Sequence, residues 1–275
     1  MSIHYRLLNH LIDNNLISDR QAAFIKGDST TNQLIYLVHL IRNTWSAGHH
    51  TQGVFLDVEA AFDKVWFSGL LAKLDQNGIT GPCLELFRSY LTNRRQVVVV
   101  DGVKSEVQPV KAGVPQGSKL GPLLFILFMN DTKKNLKSEI LIFADEPTLL
   151  ASGPNPEQTS NQLTRDLLKI QTWSNTWKVK FNADKTKNII FSNKQILNIP
   201  PIMFNNTNIE RVASHRHLGV YLTPTLDWSV HIHHVCLRAN RKLAVLMSVK
   251  ELSRSTLDLL YEALQDLGHI HNPGL

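Results

Sequence analysis

Cysteine is almost missing from this 275-residue chain, with Cys83 and Cys236 the only two. So few argue against a disulfide framework and for a reducing compartment. Long apolar runs are missing too: none reaches the ~18 residues that a membrane span needs. The first residues, Met1-Ser2-Ile3-His4-Tyr5-Arg6, lack the basic-then-apolar pattern of a secretory signal. The chain is therefore expected to be intracellular with no membrane partner, nucleus and cytoplasm being equally open. Acidic residues are outnumbered, 23 against 29 lysines and arginines, giving a formal charge of +6 and a pI near 9.3. That balance permits a polyanionic partner without requiring one. The length allows one large domain or two moderate ones with a sizeable core.

The acids that are present sit in informative places. In Leu141-Ile142-Phe143-Ala144-Asp145-Glu146-Pro147-Thr148-Leu149-Leu150 two adjacent carboxylates lie between apolar runs that read as buried strands. Taken alone, an ordinary acidic turn explains this as well as any functional reading. A second apolar run, Gly53-Val54-Phe55-Leu56-Asp57, also closes on an acid. If the strands pair, three carboxylates meet. Such a cluster is costly without cations, because like charges raise one another's pKa. Divalent metal removes that cost, and oxygen-only ligands point to Mg²⁺ or Mn²⁺. Two such ions about 3.5–4 Å apart can activate an attacking hydroxyl and stabilise a leaving phosphate oxygen, as polymerases and nucleases do.

The rest of the chain reads as alternating helices and short strands. Leucines at helical spacing mark a helix over 5–16, and a second runs from Ser29 to Trp45, leaving His49 and His50 as solvated loop histidines. Asp63 is expected to cap the helix that carries Leu70, Leu71 and Leu74. Asp101-Gly102 marks a type I′ hairpin whose return strand stops near Gln108-Pro109. Gly113-Val114-Pro115-Gln116-Gly117-Ser118 is a glycine-rich loop feeding an apolar helix from Leu123 to Met129, and Asp131 is a helix-end or loop acid. Asn155 and Pro156 open a helix to Trp177 with a buried stripe of Leu163, Leu167, Ile170, Trp173 and Trp177. Asn188 to Phe191 is a strand, Asn205-Asn206 a hairpin tip, and His217 to Leu222 a further strand. Two helices follow, over 228–250 and from a capping box at Ser255-Thr256-Leu257-Asp258. His231, His233, His234 and Cys236 match no usual zinc module, and no zinc site is expected.

Phe55-Leu56-Asp57-Val58-Glu59-Ala60-Ala61-Phe62-Asp63-Lys64-Val65-Trp66, then Gly113-Val114-Pro115-Gln116-Gly117-Ser118 with Gly121-Pro122-Leu123-Leu124-Phe125, then Phe143-Ala144-Asp145-Glu146, then His217-Leu218-Gly219-Val220 together resemble the reverse transcriptase of jockey-like, LINE-class non-LTR retrotransposons. Nearly the whole chain takes part. The resemblance implies an α+β right-hand polymerase: a partial fingers-like segment over 1–50, a palm with an antiparallel sheet over 51–223, and a truncated helical thumb-like segment over 224–275. It implies RNA-directed DNA synthesis with two Mg²⁺ or Mn²⁺ ions on Asp57, Asp145 and Glu146, an RNA template, a DNA primer and dNTPs. Phe62 falls on the aromatic position that excludes a 2′-hydroxyl. Gln116, with Gly117, matches the nucleotide pocket, and Lys185 lies where the family often keeps a lysine near the triphosphate. Leu218-Gly219 resembles the turn that holds the primer end.

The chain departs from the family pattern in three places. Glu146 replaces the second aspartate of the family's Asp-Asp pair, and its extra methylene moves the carboxylate outward by about one bond. A displacement near 1 Å can cost about 100-fold in rate, so an aspartate at 146 is expected to be faster. Pro147 is expected to disturb the hairpin. Gln21-Ala22-Ala23-Phe24-Ile25 stands where the family has Gln-x-Gly-Phe-Arg, and part of the fingers and any endonuclease segment are expected to be absent. These departures keep an alternative open, a degenerate or repurposed element fragment that binds nucleic acid weakly or does no catalysis.

Overall fold

Buried strands organise the chain, and helices cover their two faces. The computed structural model describes residues 2–196, 198–249 and 251–269. Helices α1 (Ile3–Asp13) and α2 (Thr30–Ser46) precede strand β1 (His50–Phe55), and the Ser29 hydroxyl caps α2 by accepting the Asn32 N–H at 3.1 Å. A 3-10 turn at Phe62–Lys64 leads to α3 (Phe67–Gln76) and α4 (Gly81–Leu91). Four short strands then form an exposed arm: β2 (Arg95–Gln96), β3 (Val99–Val100), β4 (Val103–Lys104) and β5 (Gln108–Pro109). Asp101 and Gly102 turn the arm with φ of 49° and 81°, the two positive angles that a type I′ turn requires. After α5 (Leu120–Met129) come β6 (Glu139–Phe143), β7 (Glu146–Gly153), α6 (Pro156–Trp177) and β8 (Lys187–Phe191). The small strands β9 (Met203–Phe204), β10 (Thr207–Asn208), β11 (Glu210–Arg211), β12 (His215–His217) and β13 (Val220–Leu222) follow, then α7 (Ser229–Ser248) and α8 (Arg254–His269).

The main sheet has the order β11-β8-β1-β7-β6. It is antiparallel, apart from the two-residue pairing of β11 with β8. All six residues of the central strand β1 are buried, which is why its sequence does not alternate. One face packs Val54, Leu149 and Ala151 against Leu163 and Leu167 of α6 and the phenylalanines of α5. The other packs Phe55, Leu141, Leu150, Ile189 and Phe191 against Leu37 and Ile41 of α2 and Leu222 of β13. Each fully buried Leu or Phe contributes roughly 1.5–3 kcal/mol. Seven successive residues of α5, Leu123 to Met129, are buried, so that helix carries no polar face.

Several local expectations are corrected. His50 is buried in β1, with Nε2 2.9 Å from the Thr159 hydroxyl, and burial lowers its pKa; only His49 is exposed. Helix α4 was not among the expected elements, although Pro82 in its first turn is a usable start signal; its Phe87 and Leu91 are buried. Asp63 caps no helix, because α3 starts after Trp66, three residues further on. His217 to Leu222 is not one strand: it breaks into β12 and β13 at Leu218 (φ 46°) and Gly219 (φ 84°). The last helix begins at Arg254, with Ser253 Oγ accepting the Thr256 N–H at 3.3 Å, and Lys250, the expected end of the helix before it, lies outside the described residues. Pro147 does not disturb the hairpin. It is buried in β7, where its carbonyl accepts the Leu56 N–H at 2.9 Å, and the donor it lacks falls one residue beyond the last β1–β7 pair, Phe55 with Thr148.

Asp131 is also more than a loop acid. It holds the ammonium of Lys73, a side chain only 3% exposed, at 2.5 Å, while Trp173 Nε1 donates to the same carboxylate oxygen at 2.8 Å. The rings of Phe128, Trp173 and Trp177 lie 4.8, 4.9 and 4.0 Å from the ammonium nitrogen, so one charge ties α3 to α5 and α6. Burial depresses the Lys73 pKa to about 8, against the pull of Asp131. The unfolded chain keeps this proton to about pH 10.4, so the stability due to this site rises as pH climbs from about 8 to about 10.4. Lys73→Ala should cost about 3–5 kcal/mol in urea unfolding at pH 7, because it removes the ion-pair partner of Asp131 and leaves that carboxylate only the Trp173 N–H. It should also abolish the alkaline rise; a loss below about 1 kcal/mol would mean that the pair is not part of the core's stability.

Candidate active site

The three acids singled out in the sequence arrive at one end of the main sheet. Phe55 of β1 pairs with Thr148 of β7, and continuing this register by two residues sets Asp57 opposite Glu146, with Asp145 in the adjoining turn. Ala144 opens that turn in the left-handed region at φ 52°. Burial raises the pKa of Asp57; Lys185 opposes the rise, and Glu146 and Glu59 add to it. Burial likewise raises Asp145, with the charges of Glu146 and Asp57 adding to it against its own backbone hydrogen bond. Glu146 goes the other way. Burial pushes its pKa up, but its contacts with the His217 ring and the Leu218 amide outweigh burial and leave it below the usual value. Its Oε2 lies 3.4 Å from both His217 Nδ1 and the Leu218 nitrogen, so the carboxylate is engaged by the turn between β12 and β13. No group of three metal-ligating side chains forms among the described residues.

A second wall forms where the segment after Asp57 meets the glycine-rich loop. Val114 N–H donates to the Phe62 carbonyl at 2.8 Å, and Gly113 N–H to Val65 at 2.9 Å. A Cβ on Gly113 would lie 2.6 Å from the Asp63 carbonyl oxygen, and the residue has φ 91°, so only glycine lets the backbones approach this closely. Asp63 accepts from Gln116 Nε2 at 2.7 Å, and it is this bond that holds the glutamine at the loop tip beside exposed Gly117. Phe62 stacks on Phe125, ring centroids 4.4 Å apart, and meets Phe24 edge-on at 6.4 Å. Lys185 belongs to a loop anchored on the same acid: Asn182 N–H donates to the Asp57 carbonyl at 2.8 Å, and the Asn182 side chain accepts from Lys185 N–H at 3.1 Å.

Gln21, which opens the segment that departs from the family pattern, is also a site residue. It forms a parallel bridge to Ile142, so residues 20–22 extend the sheet beyond β6. Its buried carbonyl accepts the Ala144 N–H at 3.2 Å and the Ala23 N–H at 3.0 Å, bracing the turn that carries Asp145 from behind. No local pattern marks this role, because the partner, Ala144, lies 123 residues away. The arrangement as a whole offers an acidic end with unmet demand for positive charge, a lysine beside it, a rigid aromatic wall and an amide at a loop tip.

A family model described as reverse transcriptase (RNA-dependent DNA polymerase) matches residues 1–222. The RNA-directed DNA polymerase from mobile element jockey of Drosophila melanogaster is 30% identical over 257 residues, 87% of this chain and 28% of that protein. The probable RNA-directed DNA polymerase from transposon X-element of the same species is 28% identical over 271 residues, 95% of this chain and 30% of that protein. This chain thus spans less than a third of the length of these relatives. Apo telomerase from Candida tropicalis, truncated from the C-terminal domain, superposes with a TM-score of 0.56 at 14% identity, over 82% of this chain and 43% of that one. Telomerase from the same species in complex with a TWJ fragment of telomeric RNA does so with a TM-score of 0.56 at 12% identity, over 96% of this chain and 45% of that one. At such identities the likeness is one of fold, and the fold is the α+β right-hand polymerase expected from the sequence.

Gln21→Leu keeps the volume but removes the acceptor of two buried amides. It should lower stability by about 1–3 kcal/mol, measured by urea unfolding. A neutral result would mean that the Ala144 turn holds itself.

Proposed function

The chain belongs to the reverse transcriptase (RNA-dependent DNA polymerase) family, as a domain of the non-LTR retrotransposon kind, and we propose that it catalyses RNA-templated addition of dNTPs to a DNA primer. The primer 3′-hydroxyl attacks the α-phosphate, the new phosphodiester forms, and pyrophosphate leaves. The observation that carries this reading is the convergence of Asp57 and Asp145, each with its pKa raised first by burial and then by neighbouring negative charge. Two hard oxygen donors with unmet demand for positive charge suit Mg²⁺ or Mn²⁺, which bind through one or two carboxylates and leave other positions to substrate phosphate. Two such ions, when bound, supply the charge that activates a hydroxyl and stabilises a leaving oxygen. Glu146, the third acid expected there, has its carboxylate on His217 and Leu218, so Asp57 and Asp145 carry the metal role in this proposal.

The remaining residues bind and orient. Phe62, held by its stacking on Phe125, is assigned the steric exclusion of a ribose 2′-hydroxyl. Gln116 and Gly117 offer an amide and an exposed backbone to the incoming nucleotide, and Lys185 offers its charge to the triphosphate. Leu218 and Gly219 hold the primer end. The division into fingers-like (1–50), palm (51–223) and thumb-like (224–275) segments belongs to the same proposal. An intracellular setting suits two cysteines that are both free and exposed.

The test is primer extension on an RNA template with purified protein, dNTPs and Mg²⁺ or Mn²⁺, beside Asp57→Asn. Metal-dependent extension that Asp57→Asn abolishes is expected; no extension from folded protein would favour the degenerate-fragment alternative. Phe62→Ala should narrow the preference for dNTPs over NTPs, and unchanged discrimination would remove the steric role. Because the pKa values of Asp57 and Asp145 are raised on folding, ionising them weakens the fold as pH rises through those values. Mn²⁺ should therefore raise the Tm of the wild type at pH 7 and leave that of the double variant Asp57→Asn, Asp145→Asn unchanged. An equal shift in both proteins would locate the metal elsewhere.

A further inference from the structure

Glu146 differs from Asp57 and Asp145 in what its carboxylate reaches. Pro147 holds it in extended backbone, on the face of β7 shared with Thr148 and Leu150. That face carries the β12–β13 hairpin. The His217 ring is 5.0 Å from the Phe55 ring, His217 Nε2 is 3.5 Å from the Thr148 hydroxyl, and Glu146 Oε2 lies 3.4 Å from His217 Nδ1 and from the Leu218 nitrogen. The turn it meets is a demanding one, because Leu218 occupies the left-handed region at φ 46°, where side chains other than glycine are disfavoured. His217 is only 2% exposed while the Glu146 side chain is 53% exposed, so the carboxylate meets a buried ring from the solvent side. On its other side the hairpin is joined to α7 by Tyr221 stacked on His234, with centroids 4.1 Å apart and planes 8° from parallel.

We propose that Glu146 is a positioning residue: its carboxylate tethers the Leu218-Gly219 turn to the hairpin that carries Asp145, and so sets where the primer end lies relative to Asp57 and Asp145. The inference rests on the polymerase reading above. It gives the extra methylene of Glu146 a purpose. At 3.4 Å the contact has no slack, and an aspartate would fall short by about one carbon–carbon bond, ~1.5 Å. Glu146→Asp is thus expected to impair the site, the opposite of what the side-chain length alone suggests.

The test compares wild type, Glu146→Asp and Glu146→Gln by primer–template binding, by extension kinetics in Mn²⁺, and by hydrogen exchange at the Leu218 amide. Glu146→Asp should weaken primer–template binding about tenfold, as expected for losing one hydrogen bond to a charged group. It should also speed Leu218 exchange and raise the KM for primer–template more than it lowers kcat, with the half-saturating Mn²⁺ concentration unchanged. Glu146→Gln keeps the length and an acceptor oxygen, and should restore most of the binding and protection. A shift in half-saturating Mn²⁺ in both variants with primer affinity unchanged would make Glu146 a metal ligand and overturn the tether. Leu218 exchange that Glu146→Asp leaves unchanged would overturn it too. If the wild type binds primer–template but extends nothing, the polymerase reading fails, while exchange and binding still decide the tether.

Discussion

The pairing register of β1 against β7 is the constraint on which the site depends. A strand shifted by one residue turns every side chain to the other face, and here the register is locked because both faces of β1 are buried. With Phe55 opposite Thr148, Asp57 must lie opposite Glu146 and beside the turn that bears Asp145. The sheet brings the acids close, and burial then makes their charge expensive. Hydrophobic packing fixes the geometry, and the geometry creates the demand for a counter-charge.

The neighbouring surfaces are attached to that frame by backbone. The glycine-rich loop is bonded directly to the main chain of residues 62–65, and Gly113 makes this possible by having no side chain to intervene. Phe62 and Gln116 therefore reach the site as parts of one packed unit, although more than fifty residues separate them. Gln21 acts similarly from the opposite edge, extending the sheet beyond β6 and bracing the Ala144 turn. The Lys73 cluster holds α3, α5 and α6 together behind this arrangement.

The departures from the family pattern look different once their surroundings are known. Pro147 reads as a hairpin breaker in isolation, yet it sits in a ladder position that needs little from its nitrogen, and its carbonyl still serves Leu56. Glu146 reads as a displaced metal ligand, yet its carboxylate has partners on another hairpin. Both are local changes whose effect depends on what the chain brings beside them.

The sequence by itself determined the elements and motifs with local causes: the Asp101-Gly102 hairpin, the Asn155 cap of α6 and the buried Leu163, Leu167 and Ile170 of its stripe, whose Trp173 and Trp177 are only half-buried, the apolar helix α5, and the four motifs that mark a polymerase palm. Periodicity, capping and turn chemistry act over a few residues and can be read there. Tertiary structure alone decided that His50 is buried, that Asp131 holds Lys73, that Asp63 orients Gln116 and caps no helix, and that Glu146 turns toward Leu218. Each of these rests on a partner more than fifty residues away. No local pattern encodes such a pairing, because it is the strand register and the packing of the two sheet faces that bring the partners into reach.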